Sequence, residues 1–326
     1  VVLAVKSNNM AGRKGKERIG LVSLFEQSPD GQGEWMPQKR LFCVGFGFSA
    51  AHLAGLLLEE GWSVAGTCRS QEKKARLEKD GIEAFVFSPD EPLKAGALEG
   101  ATHLLGSAPP EEAGDPFLRR HEEMALEAAQ SLEWAGYLST TGVYGDRQGG
   151  WVDEESELRP DTARGKKRLA AEKDWLAFGE KSGVPVQLFR LAGIYGPYRN
   201  QLTSLKEGKA RRIVKPGQVF SRIHVEDIAR ILKASIAAPH AGAAYNVCDN
   251  EAAPPQEVIA YAAELLGRAP PPEIPFEEAD LSPMARSFYE DSKRVSNRRI
   301  KEELGVTLRY PTYREGLKAL LDAGAY

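Results

Sequence analysis

A chain of 326 residues with 42% hydrophobic and 27% charged content can bury one large core or two modest ones, and at a formal net charge of −3 it lacks the concentrated basic surface that nucleic acid requires. The densest basic runs, "RGKKR" and "KARRIVK", are short and read as solvated faces, and no apolar run approaches the roughly 18–20 residues that cross a bilayer. The three cysteines, Cys43, Cys68 and Cys248, are too scattered for a disulfide frame or a metal site, so small core residues in a reducing, cytoplasmic compartment are expected.

Residues 1–35 are polar, Gly-rich and aperiodic, and read as a flexible extension; an arm packed on a partner is the competing reading. A nucleotide-binding domain is expected over 36–197 and a smaller, mostly helical substrate lobe over 198–326, with about 218–249 returning to the first domain. Within the first domain apolar runs alternate with amphipathic ones. "RLFCVGFG" reads as a buried strand and "AAHLAGLLLEEG" as a helix closed by Gly61. "WSVAGTCR" is a second strand, "QEKKARLEKDG" a helix, and "IEAFVF" a third strand. "ATHLLGSA" is the fourth, followed by one helix through "FLRRHEEMALEAAQSL". "WAGYLST" is the fifth, a helix follows over 162–181, and "PVQLFRLAGIYGP" is the sixth. A fresh helix from about Val225 and a strand in "AAYNVCDN" precede a tail of helices and turns. The fold class is α/β, a doubly wound parallel sheet covered on both faces.

"GFGFSA" places Gly45, Gly47 and Ala50 in a G-x-G-x-x-A arrangement where the first strand meets its helix. The first glycine permits the tight turn, the second lets a pyrophosphate approach the backbone, and the third small residue lets helix and strand pack closely. The N–H groups of Phe48, Ser49 and Ala50 would then face phosphates. That spacing in that context predicts a Rossmann-type dinucleotide site. An NAD site wants an acid about 20 residues on; here "GTCRSQEKK" offers Arg69 and Ser70 instead. A guanidinium suits a 2′-phosphate, so NADP is favoured and NAD stays possible, with Arg69 as an ordinary surface charge the competing reading.

With the glycine loop, "LSTTGVYG", "FRLAGIYGP" and "RIHVEDIA" in order, the chain resembles the extended short-chain dehydrogenase/reductases, also called the NAD-dependent epimerase/dehydratase family. The resemblance runs from residue 39 to the C-terminus. It implies NAD(P) in the N-terminal domain, a small substrate (often a nucleotide sugar) against the C-terminal lobe, and hydride transfer assisted by a Ser/Thr, a Tyr and a Lys. By position, Thr140 matches the hydroxyl that donates to the reacting oxygen. Ser107 and Pro109 would line the cofactor, Arg190 to Gly196 would close the nicotinamide side, and His224 and Asp227 would stand at the lobe junction or cap the helix after them.

The family's Y-x-x-x-K should follow about 20 residues after the "VYG" loop. The register of "DTARGKKRLAAE" puts Arg164 at the tyrosine and Arg168 at the lysine. Arginine stays protonated throughout the accessible pH range, so the usual proton relay is absent. Arg168 could still donate to a ribose or phosphate, and Arg164 could hold a carboxylate or phosphate of an acidic substrate. Tyr144 and Tyr195 are the candidate replacement acids. Two functions follow: an atypical NAD(P)-dependent oxidoreductase or epimerase acting on a small, anionic or nucleotide-sugar substrate, or a non-catalytic NADP(H)-binding sensor or regulatory protein. A homodimer is the default assembly.

Overall fold

The computed structural model describes residues 39–326, so the expected extension at 1–35 lies outside the described residues. The chain begins with β1 (Arg40–Val44), α1 (Phe48–Leu58), β2 (Ser63–Cys68), α2 (Gln71–Lys79), β3 (Glu83–Val86) and β4 (His103–Gly106). Then come α3 (Pro116–Arg120), α4 (Glu122–Ala128), β5 (Trp134–Thr140), a single 3₁₀ turn (Thr141–Tyr144), β6 (Trp151–Val152) and α5 (Ala163–Ser182). Next are β7 (Val186–Leu191), β8 (Gly193–Tyr195), α6 (Gln201–Lys206), β9 (Arg212–Val214), β10 (Arg222–His224), α7 (Val225–Ala237) and β11 (Ala244–Val247). The tail holds α8 (Pro255–Leu265), β12 (Glu273–Pro275), α9 (Pro283–Ser287), β13 (Arg294–Val295), α10 (Arg298–Glu302) and α11 (Tyr313–Asp322).

Seven strands form one sheet in the order β11-β7-β5-β4-β1-β2-β3, with every pairing parallel. The apolar runs are continuous because both faces are covered. Along β1, Leu41 and Cys43 enter one core while Phe42 and Val44 enter the other, as the two-residue period of a strand requires. The first core packs against α1 and α7, and the second receives Trp175 and Phe178 of α5. Gly106 in β4 admits the Trp175 indole, which a Cβ there would meet at 2.3 Å. The indole N–H is then satisfied by Asp115 at 3.0 Å, itself the N-cap of α3. Cys43, Cys68 and Cys248 are all buried and free.

Two expected elements are divided. The sixth strand is two: β7 pairs with β5 and β11, then the chain breaks at Ala192 and β8 pairs with β10 in a separate two-stranded ribbon. The helix expected through 117–132 is broken at His121, whose φ of −135° and ψ of 35° are not helical. Its Nε2 accepts from the Leu93 N–H at 3.2 Å and its ring packs edge-on against Phe87. That contact from a distant loop outweighs helical continuity.

Past β8, α6, α8 and α11 bury Leu202, Val258, Ala262, Tyr313 and Leu317 in a core of their own. Meanwhile α7 packs on α1, and β11 joins the main sheet beside β7. The sheet order reverses between β1 and β4, so a crevice opens at the carboxyl ends of those two strands.

Candidate functional site

That crevice is lined by the glycine loop. Gly45 has φ +92°, and a Cβ on it would stand 2.7 Å from the Ala108 backbone nitrogen. Only glycine lets β1's exit pass this close to the loop after β4. The Gly45 N–H donates to the buried Thr67 Oγ1 at 2.7 Å, which ties the turn to β2. Gly47 is the N-cap of α1 and offers no capping side chain, so the N–H groups of Phe48, Ser49 and Ala50 point out of the helix end without a side-chain acceptor. Ser49 and Ala50 are buried beneath the turn, and Ser107 Oγ lies 4.0 Å from where a Gly47 Cβ would be. The loop thus presents unengaged backbone N–H groups at the start of α1, with Ser107 across from Gly47 and Pro109 exposed in the loop after β4.

At the end of β2, Arg69 and Ser70 are both exposed. Ser70 is the N-cap of α2, accepting from the Lys73 N–H at 3.3 Å. The Lys73 ammonium reaches back to donate to the Phe46 carbonyl inside the glycine loop. Lys73 was not among the residues expected from the sequence, although "RSQEKK" displays it four positions after Arg69.

The other wall is the end of β5. Thr140 Oγ1 accepts from the Gly142 N–H at 3.2 Å and opens the 3₁₀ turn. Beneath it lies a buried network. Ser139 Oγ donates to Glu172, whose carboxylate takes Arg190 Nε at 3.2 Å and Nη2 at 3.0 Å. Arg190 Nη1 donates to the Tyr144 hydroxyl at 2.9 Å, and that hydroxyl donates to Asn246 Oδ1 at 2.8 Å. Burial pushes the Tyr144 phenol up to about 12, against the pull of Arg190. Tyr144 is therefore no replacement acid, and Arg190, expected at the nicotinamide side, is held within the core instead.

Gly165 presses the first turn of α5 onto this wall: a Cβ there would meet the Gly142 carbonyl at 2.8 Å. The first two turns carry the arginine pair, and the two differ. Arg168 is turned inward; its Nη1 donates to the Leu138 carbonyl at 2.7 Å and the Tyr137 hydroxyl at 3.1 Å. The Leu138 carbonyl needs a donor because β5 runs past β4, whose last pairing is Gly106 with Tyr137. Arg168 Nε is buried without a partner among the described residues. Arg164 stacks on the Phe288 ring at 4.1 Å and forms no ion pair or hydrogen bond among the described residues. Burial lowers its pKa, Asp291 opposes that shift, and Arg168 reinforces it.

A profile of the NAD dependent epimerase/dehydratase family matches residues 117–248. A conserved protein of unknown function from Silicibacter pomeroyi DSS is 50% identical, with a TM-score of 0.82 over 89% of this chain and 100% of that one. The chain belongs to the NAD-dependent epimerase/dehydratase family. Protein YeeZ of Escherichia coli (strain K12) is 28% identical over 286 residues, 84% of this chain and 97% of its own. A dTDP-glucose 4,6-dehydratase from Bacillus anthracis str. Ames, solved in complex with NAD, shares the fold at 19% identity and a TM-score of 0.68 over 87% of this chain and 96% of that one.

Within this family the chain is a variant without the usual Tyr-x-x-x-Lys. Nor does Tyr195 restore the acid: burial pushes its phenol far up, and its hydroxyl sits against the Thr312 carbonyl at 3.5 Å. His224 is 1% exposed and caps α7, its Nδ1 accepting from the Glu226 N–H at 3.3 Å. Its ring lies 4.1 Å from that of Tyr310, and burial lowers its pKa to about 3, so it is a neutral packing residue. Asp227 binds the tail instead of capping, accepting from the Arg309 and Tyr310 N–H groups at 2.7 and 3.0 Å.

Proposed function

We propose that the protein is an NADP(H)-dependent oxidoreductase or epimerase that transfers hydride to or from a small anionic or nucleotide-sugar substrate without a tyrosine proton donor. The observation that carries this reading is the glycine cradle at the reversal point of the sheet. Gly45 has no room for a Cβ, and the first turn of α1 has no capping side chain. Those features fit a dinucleotide pyrophosphate. Arg69 and Lys73 would receive a 2′-phosphate, and the orphaned Arg168 Nε is a donor suited to a ribose hydroxyl. When bound, the nicotinamide supplies or accepts the hydride. Thr140 would donate to the reacting oxygen, and Arg164 would stabilise negative charge without releasing a proton.

The second reading is a non-catalytic NADP(H)-binding sensor. The engaged hydroxyls of Tyr144 and Tyr195 favour it, because neither is available as an acid. Calorimetric titration of NADPH and NADH into the full chain is the first test. NADPH bound tenfold or more tighter than NADH supports the cofactor assignment; no binding of either removes both readings. Carbonyl-dependent NADPH oxidation that drops in Thr140→Val then selects the enzyme, and cofactor binding with no turnover across a carbonyl panel selects the sensor.

A further inference from the structure

The turn between β8 and α6 carries a cation to the start of α1. Gly196 and Arg199 close this turn with two backbone hydrogen bonds of 3.1 Å, one in each direction. Buried Gly196 lies directly on Phe48, the first residue of α1: a Cβ on it would stand 3.2 Å from Phe48 Cζ and 2.6 Å from Val225 Cγ1. The Arg199 guanidinium rests over the same ring, 5.7 Å from its centroid. His52 holds that ring from within the helix, edge-on at 4.8 Å. The Phe48 ring and the open Phe48 N–H belong to one residue, so the guanidinium stands within a side chain's length of the helix end. Arg199 is exposed, and its guanidinium makes no hydrogen bond or ion pair among the described residues.

The turn is strained. Tyr198 has φ +56°, a region that bulky residues avoid, and its side chain is 55% exposed, so burying that ring does not offset the strain. The end of the chain holds the conformation instead. Tyr198 N–H donates to the Ala325 carbonyl at 3.0 Å, and Asn200 Nδ2 donates to the Gly196 and Ala325 carbonyls at 2.9 and 3.2 Å. Asn200 is 7% exposed and also caps α6, its Oδ1 accepting from the Thr203 N–H at 3.0 Å. A fixed backbone thus delivers an unpaired cation to Phe48.

We propose that Arg199 is a cofactor-binding residue whose guanidinium exchanges the Phe48 ring for the pyrophosphate of the dinucleotide. This rests on the cofactor reading above and adds to it a residue from beyond the main sheet. An exposed cation gains little from an aromatic ring, whereas a phosphate offers it charge-assisted bonds that match its planar fork. The pyrophosphate is common to NADP and NAD, so Arg199 adds affinity for both, in contrast to the 2′-phosphate role proposed for Arg69 and Lys73.

The test is calorimetric titration of NADPH, NADH and ADP-ribose into the full chain, its Arg199→Gln variant and its Arg199→Lys variant. Expected is a loss of about tenfold in Arg199→Gln, by the same factor for all three molecules, and a smaller loss in Arg199→Lys, which keeps the charge without the fork. The urea midpoint should not move in either variant, because the side chain is exposed. Unaltered affinities in Arg199→Gln overturn the proposal. A loss confined to NADPH would assign Arg199 to the 2′-phosphate, and a loss that spares ADP-ribose would assign it to the nicotinamide half; either overturns the pyrophosphate assignment. A wild type that binds none of the three removes the cofactor reading itself, whereas a wild type that binds them beside an indifferent variant removes only the role of Arg199.

Discussion

Helix α5 carries two charged positions two turns apart, and they are built in opposite ways. At Glu172 both carboxylate oxygens are engaged, by a serine hydroxyl and a two-pronged arginine, and through that arginine a tyrosine and Asn246 Oδ1, all buried; Asn246 Nδ2 alone of these lacks a partner among the described residues. At Arg164 the guanidinium touches an aromatic ring and no acceptor among the described residues. A network whose charges are paired internally holds strands β5 and β7 and helix α5 together. An open one is held in place yet leaves its charge for a partner. The difference teaches where to look for chemistry on this scaffold: at the charges the fold positions but does not neutralise.

The largest effect should come from breaking the closed side. Glu172→Ala strands Arg190 in the core and should lower unfolding free energy by about 3–5 kcal/mol in urea denaturation. A loss under 1 kcal/mol would show that the network is dispensable. Gly45→Ala comes next, since it demands positive φ and a clash with the Ala108 backbone. It should cost about 2–3 kcal/mol and abolish NADPH binding; retained binding would move the cofactor elsewhere.

The third test is pH. Burial lowers His224 to about 3, and burial with Lys39 nearby lowers His103 to about 4. Both fold as neutral rings, whereas in the unfolded chain they protonate through the usual 6.5. Their contribution is complete above that value and is lost as pH falls toward 4 for His103 and toward 3 for His224, by about 2 kcal/mol each at pH 5. Urea midpoints at pH 7.5 and 5.0 would show it, and His224→Gln should flatten part of the slope. An unchanged slope in that variant would mean the ring is not the titrating group.

Smaller still, Arg69→Ala with Lys73→Ala should weaken NADPH about tenfold and leave NADH unaltered; equal losses for both would assign these cations to the pyrophosphate or to folding. Smallest of all, Arg164→Gln should shift stability by under about 0.5 kcal/mol, since its guanidinium makes no hydrogen bond or ion pair among the described residues. A large destabilisation there would erase the contrast with Glu172.

Much of this was legible in the sequence for a physical reason. Strands buried on both faces appear as unbroken apolar runs, and the glycine spacing reports a local backbone demand that any reader of the chain can see. What escaped depends on residues remote in sequence. In "LFRLAGIYG" Gly193 hints at an interruption but not at a change of partner; the switch exists because β10, nearly thirty residues later, pairs with Gly193–Tyr195. "FLRRHEEMALEA" has a helical period throughout and is interrupted by a bond from Leu93. The arginine pair was visible as a chemical oddity, but its asymmetry was not: Arg168 is defined by a strand that outruns its neighbour, and Arg164 by Phe288 and Asp291 far down the tail. Tyr144 looked available because its partners, Arg190 and Asn246, come from two later strands.

The buried cysteines have a practical consequence. Cys43 sits in β1 beside the glycine turn, Cys68 at the end of β2 and Cys248 just past β11, and none is open to reagent in the native fold. Burial also pushes the Cys43 and Cys248 thiols up, which removes the reactive thiolate. A thiol-modifying dye will therefore react only as fast as the sheet opens. Its labelling time course becomes a clock for opening, readable without added probes, and any molecule that binds the native protein will slow it in proportion to its occupancy.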